Sequence, residues 1–96
     1  MTEIVDELSF VSLDDRSLPH SRAQIVQASW GWQIELYHVP PDSRPLVRQV
    51  GVIAFKTLDG YRWAGTVIAD LVTEGRGFVL LSGIGQLRLI APADAA

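Results

Sequence analysis

Cysteine is absent from this 96-residue chain. That excludes disulfides, thiolate metal sites and thiol nucleophiles, and it fits a reducing compartment. A basic excess is also missing. Eight basic residues stand against eleven acidic ones, for a net charge of −3, whereas domains that track phosphates by charge carry the opposite balance. Nucleic acid is therefore a disfavoured partner. No apolar run is long enough to span a bilayer. The opening MTEIVDELSF lacks the basic head and apolar stretch of a signal peptide. The expectation is a soluble, cytoplasmic protein with no membrane partner.

Imidazoles are scarce. His20 and His38 each sit beside a proline-containing break. A metal site needs three or four ligands, and no close-spaced pair begins one here. No G-x-S-x-G elbow accompanies the serines. GRG at 75–77 and GIG at 83–85 do not open helices, so a phosphate cradle lacks its helix N-terminus. The titratable groups are scattered over turns and one wet strand face, whereas enzymes gather them in a pocket. No catalysis, metal or cofactor is expected.

What the chain does contain favours order. Hydrophobic residues make up 48% and charged residues 20%, which suits one filled core over residues 1–96. The small-residue tail at 91–96 is expected to fray. Lys56 is the single lysine beside seven arginines. Arginine favours interfaces through its planar fork, although high-GC codon usage produces the same bias.

Strand patterns dominate after residue 22. From Ser29 to Val39, Trp30, Trp32, Ile34, Leu36 and His38 share one face, and Gln33, Glu35 and Tyr37 the other. Ile25 and Val26 are adjacent, so the phase changes upstream and a bend is expected near residues 27–29. Pro40, Pro41 and Pro45 make 40–45 a stiff exposed loop. Asp59–Gly60 between two apolar runs predicts a two-residue hairpin turn. Leu58 then faces Tyr61, and Lys56 faces Trp63 as a cation–π candidate. Both faces of this hairpin are largely apolar, and its centre is thinned by Gly51, Ala54, Ala64 and Gly65, as a curved sheet or a close backbone neighbour requires. TEGRG reverses the chain, FVLLS forms a strand, GIG turns again and QLRLI closes the series. Ile4, Val5, Leu8 and Val11 fit a helical stripe, but Ser9 to Ser12 are modest helix formers, so residues 7–13 are read as a strand with Leu8 and Phe10 on one side; DDRSLPHS is read as a loop.

This pattern predicts an all-β fold, a small antiparallel barrel or compact sandwich of about six strands built as a meander. The strand count allows barrels of the SH3 or OB kind, whose functions do not travel with the fold. Trp30 and Trp32, two residues apart on one strand, are a neighbouring pair. Because Ile34 and Leu36 continue their face, core is the favoured reading, with Trp30 the more exposed of the two.

The leading functional expectation is a non-catalytic assembly domain that contacts protein, either itself or another subunit, as an oligomer or complex component. The alternative is a barrel that binds a carbohydrate or small apolar ligand through Trp30, Trp32, Tyr37 and Trp63. A third is an OB-like face for single-stranded nucleic acid through Tyr61, Arg62 and Trp63. For the assembly reading, the stiff loop offers Pro40, Pro41, Asp42 and Arg44, followed by Arg48, as contact residues. A plain connector that ends a strand is the simpler account of the same prolines.

Overall fold

The computed structural model describes residues 3–92, with the backbone alone at 91 and 92. Seven strands follow one another: β1 (Ile4–Leu13), β2 (Arg16–Ser17), β3 (Arg22–Ala28), β4 (Gly31–Tyr37), β5 (Val50–Thr57), β6 (Tyr61–Val72) and β7 (Val79–Pro92). The neighbour order is β2-β1-β3-β4-β7-β6-β5, and β5 returns to pair with β1. Six antiparallel strands thus close a barrel, with β2 as an extra strand against β1. Two meanders, β1-β3-β4 and β5-β6-β7, are joined by the connection 38–49, which crosses one end of the barrel. Closure removes the sheet edges that two separate meanders would expose. Among the described residues no helix is long and apolar enough to cross a membrane.

The core follows from strand alternation. Ile25, Ile34, Leu36, Ile53, Phe55, Val67, Ala69, Val79 and Leu81 point inward and are buried. Cross-strand pairs such as Ile25↔Ile34 and Ile34↔Leu81 link these side chains around the wall. At about 1.5–3 kcal/mol for each large apolar side chain removed from water, this set is the main source of stability.

The register differs from the sequence-based expectation at four places. First, Lys56 pairs with Arg62 and Phe55 with Trp63, so the hairpin is one residue out of the expected phase and Lys56 does not face Trp63. Its loop has three residues, 58–60. The Gly60 amide donates to the Thr57 carbonyl at 3.1 Å, and Gly60 has φ 95°. This is a turn followed by a left-handed residue, the common three-residue hairpin. The one-residue slip sets inward Phe55 beside inward Trp63, whereas the expected pairing would have matched an inward residue with an outward one.

Second, Leu8 pairs with Thr57 and Phe10 with Lys56. Ser9 is an extra residue in β1, and this bulge changes the phase. Leu8, Val11 and Leu13 turn inward while Phe10 is exposed. Third, GIG is not a turn. β7 runs through it as one strand, with the added residues near 85–87 taken up as a bulge opposite Gly65. Fourth, the bend expected at 27–29 is a hairpin turn at Ser29–Trp30, closed by Ala28↔Gly31. Trp30 therefore leaves the strand face, and His38, with φ 60°, leaves it at the other end.

The stretch DDRSLPHS also holds more order than a loop. Asp14 and Asp15 both have positive φ and turn β1 into β2, a conformation that Asp tolerates better than most residues. The connection 38–49 contains a 3-10 turn, Pro41–Ser43. It is not wholly exposed, since Val39 and Pro45 are buried. Of the tail expected to fray, Ala91 and Pro92 continue β7, and 93–96 lie outside the described residues.

Candidate functional site

The two ends of the barrel differ. At the end crossed by 38–49, Leu18 and Val39 reach into the core. Arg44 holds this end together. Its Nε donates to the Val39 carbonyl at 2.9 Å and its Nη1 to the Glu74 carbonyl at 2.6 Å. The Val39 amide in turn donates to the Gly77 carbonyl at 3.0 Å. One guanidinium thus ties the connection to the β6–β7 loop.

The opposite end is open. Here β1 begins, and the 29–30 and 58–60 turns and the β7 bulge form the rim. A cavity of about 510 Å³ enters the barrel at this mouth. Its inner walls are Trp32, Phe55, Trp63 and Leu87, and Tyr61, Asp6, Asp59, Gln27 and Gln86 stand around it. Asp6 lies opposite Ile25 in the β1–β3 ladder, so it faces the barrel interior at the point where the wall ends. Asp59 reaches the rim from the hairpin tip. The floor is fixed: Trp32 is only 7% exposed, and its Nε1 donates to the Gly85 carbonyl at 2.9 Å. A Cβ on Gly65 would lie 2.8 Å from the indole, and one on Gly83 would overlap it. These two glycines leave the space that the ring occupies, so the close neighbour of Gly65 is an indole side chain and not the backbone expected from the sequence.

The outer surface is divided as well. On β3 and β4, and at Glu7 of β1, the outward polar side chains bond to one another, while Val5 and Phe10 of β1 are exposed beside them. Arg22 Nε donates to Glu7 at 2.9 Å, Gln24 Nε2 to Glu35 Oε1 at 2.6 Å and Gln33 Nε2 to Glu35 Oε2 at 2.8 Å. The Glu7 partnership raises the Arg22 pKa. Tyr37 joins through its hydroxyl, which donates to Glu35 at 3.4 Å, and its ring packs on Phe78 with centroids 5.2 Å apart. Burial, followed by the Glu35 charge and hydrogen bond, raises its pKa above the ordinary 10.0.

On β5, β6 and β7 the outward rungs read Val50–Ile68–Ser82 and Val52–Thr66–Ile84. Val52 is 52% exposed and Ile84 47%, and no polar network covers them. Lys56, Arg62 and Arg88 border this apolar strip toward the mouth, and Asp70 lies at its other end, accepting a hydrogen bond from Ser82.

The residues singled out in the sequence are therefore dispersed. Trp32 and Trp63 meet at the mouth. Trp30 is 54% exposed on the neighbouring turn and does not line the cavity. Tyr37 belongs to the polar outer wall. Pro40, Pro41 and Asp42 are exposed at the closed end, Arg44 is engaged in the clamp, and Arg48 is exposed with φ 74° while its amide donates to the Ala69 carbonyl. Arg62 points away from Tyr61 and Trp63, so the three do not form one face. Sequence reasoning missed Asp6 and Asp59. The apolar residues on both faces of the β5–β6 hairpin suggest burial on both sides or excess surface for a partner to cover, without singling out Val52 or Ile84; Val50 and Val52 are in fact exposed.

Ser21 Oγ lies 2.5 Å from His38 Nδ1. Neither residue lines a described cavity, and no carboxylate among the described residues hydrogen bonds to this imidazole, so the pair lacks both an orienting acid and a substrate pocket. Among the described residues no group of three His, Asp or Glu could hold a metal ion.

No known protein family, curated protein or solved structure matches the chain.

Proposed function

We propose that this protein is a non-catalytic assembly module and that it pairs with a second copy of itself through the outer wall of β5, β6 and β7. The observation that carries this reading is the apolar strip on which Val50, Val52 and Ile84 are exposed and Ile68 is half-buried, set against the outer face of β3 and β4, whose polar side chains are bonded to one another. Contiguous exposed apolar surface is characteristic of interaction sites. Sheet faces of this kind pack on each other about 10 Å apart with their strands nearly aligned.

Self-pairing is favoured by the charges at the margins. A two-fold axis lying in the interface and perpendicular to the strands brings Lys56, Arg62 and Arg88 of one copy toward Asp70 of the other, and the reverse, as an isologous interface allows. Steering by such margins acts on association rate and register more than on affinity. Sedimentation equilibrium tests the reading. The native chain should run as a dimer at tens of micromolar, and Val52→Asp should run as a monomer with an unchanged melting temperature at high dilution. A native chain that stays monomeric at the highest soluble concentration removes the proposal.

A further inference from the structure

The barrel mouth lies at the other end of the fold from the clamp and is independent of the outer strip. We infer that it is a binding site for a small organic cation of the quaternary or alkylated ammonium class. The cavity of about 510 Å³ is of ligand size. Its walls are aromatic, with Trp32 and Trp63 inside and Tyr61 at the rim. The faces of such rings attract a cation, and most strongly where it is partly out of water.

The charged groups decide between ligand classes. Asp6 and Asp59 both line the cavity, and among the described residues no lysine, arginine or histidine does. The nearest cations in the ladder, Lys56 and Arg62, pair with each other on the outside of the wall. An anion at the mouth would therefore meet two carboxylates with no compensating charge. A purely apolar ligand would make no use of either carboxylate, and Asp59 already accepts a hydrogen bond from the Thr57 hydroxyl at the exposed rim. An alkylated ammonium meets both requirements, because its methyl or methylene groups fill the apolar walls while its charge faces the rings and the two carboxylates. The site is also rigid. Trp32 is held by the Gly85 carbonyl and seated against Gly65 and Gly83, so little ordering is needed when a ligand enters.

The test uses choline and its neutral carbon isostere, 3,3-dimethylbutan-1-ol, titrated into the full chain. The indole N–H signals of the three tryptophans are followed by NMR. Choline should shift Trp32 and Trp63 saturably while leaving Trp30 unmoved, and it should bind about tenfold more tightly than the isostere. Added sodium chloride should weaken choline and not the isostere. The double variant Asp6→Asn with Asp59→Asn should bring choline down to the affinity of the isostere. These exchanges keep side-chain shape at exposed positions, and an unchanged Trp32 signal certifies the fold. The inference is overturned if the isostere binds as well as choline, if neither gives a saturable shift, or if the double variant keeps the preference.

Discussion

At one end of the barrel, side chains from a crossing segment fill the opening; at the other, the opening persists and aromatic rings line it. Turn chemistry does not account for this, since Asp and Gly residues serve turns at both ends. Connection length does. Residues 38–49 must pass from β4 to β5, which are not neighbours in the sheet, and a segment of that length can lay Val39 and Arg44 over the core. At the mouth, the 29–30 and 58–60 turns join strands that are already adjacent. Such short hairpins fold straight back and cannot reach across the barrel. A small barrel closed by one crossover is thus covered where the crossover passes and open where only hairpins meet.

The strongest way to break this contrast is to remove the floor of the mouth. Trp32→Ala should cost about 3–5 kcal/mol, the range for deleting a large buried aromatic, measured as a drop in the urea midpoint. Gly83→Ala should also destabilise, because the new methyl competes with the same ring. A midpoint unchanged by either substitution would contradict the packing described for the indole.

Next comes the clamp at the closed end. Arg44→Ala should cost about 1.5–3 kcal/mol, as expected for losing hydrogen bonds that a charged donor makes to partly buried carbonyls. Arg44→Lys should rescue little, since one ammonium cannot reproduce a fork that reaches carbonyls in two separate loop segments. Gln86→Ala, an exposed change at the mouth, should stay within about 0.5 kcal/mol. Equal losses at Arg44 and Gln86 would mean that the ends do not differ in the way described.

Much of this architecture can be read from the residues. The alternation Trp32, Ile34, Leu36 marks a half-buried strand, Asp59–Gly60 marks a hairpin, and Gly65 marks a close approach, made by the Trp32 ring. Phase was lost wherever a bulge intervened. Ser9 carries nothing in its side chain that announces an extra residue, and GIG is as suitable for a bulge as for a turn, because glycine permits both. The hairpin slipped by one residue because a two-residue and a three-residue loop can share the same Asp-Gly pair, the difference being whether glycine alone or both residues take positive φ. The mouth was half legible. Trp32 and Trp63 are conspicuous, but Asp6 and Asp59 come together only when β1 pairs with β3 and β5 closes the barrel, a long-range event that no local pattern encodes. Arg44 was read as a contact residue because Arg is common at interfaces. Its engagement with Val39 and Glu74 depends on the crossing path of the connection.

A smaller effect sharpens the contrast from the open end. Gly60, at φ 95°, closes the hairpin that carries Asp59. Gly60→Val should cost about 1–2 kcal/mol, because a β-branched residue is strained at positive φ. If the melting temperature is unchanged, the left-handed turn assignment fails. If the variant folds but choline binding at the mouth falls, the hairpin tip is shown to position the rim.

The smallest expected effect lies near the closed end, at Tyr37. Its ring packs on Phe78 from the loop that Arg44 clamps, and its hydroxyl donates to Glu35. Burial first, and the Glu35 carboxylate second, raise its pKa above the ordinary 10.0. Ionisation is therefore harder in the folded state than in the unfolded chain. The sign follows from linkage: the stabilisation is fully present below about pH 10 and is lost as pH rises from there through the raised folded value. Tyr37→Phe cannot ionise, so the stability difference between the native chain and this variant should be flat from pH 7 to 9. It should then move in favour of the variant above pH 10. Urea midpoints taken across that range measure it, and subtracting the variant cancels the alkaline titration of the other residues. A difference that stays flat through pH 11 would mean that the Tyr37 hydroxyl is as free to ionise in the barrel as in the unfolded chain, and that the packing on Phe78 does not shelter it.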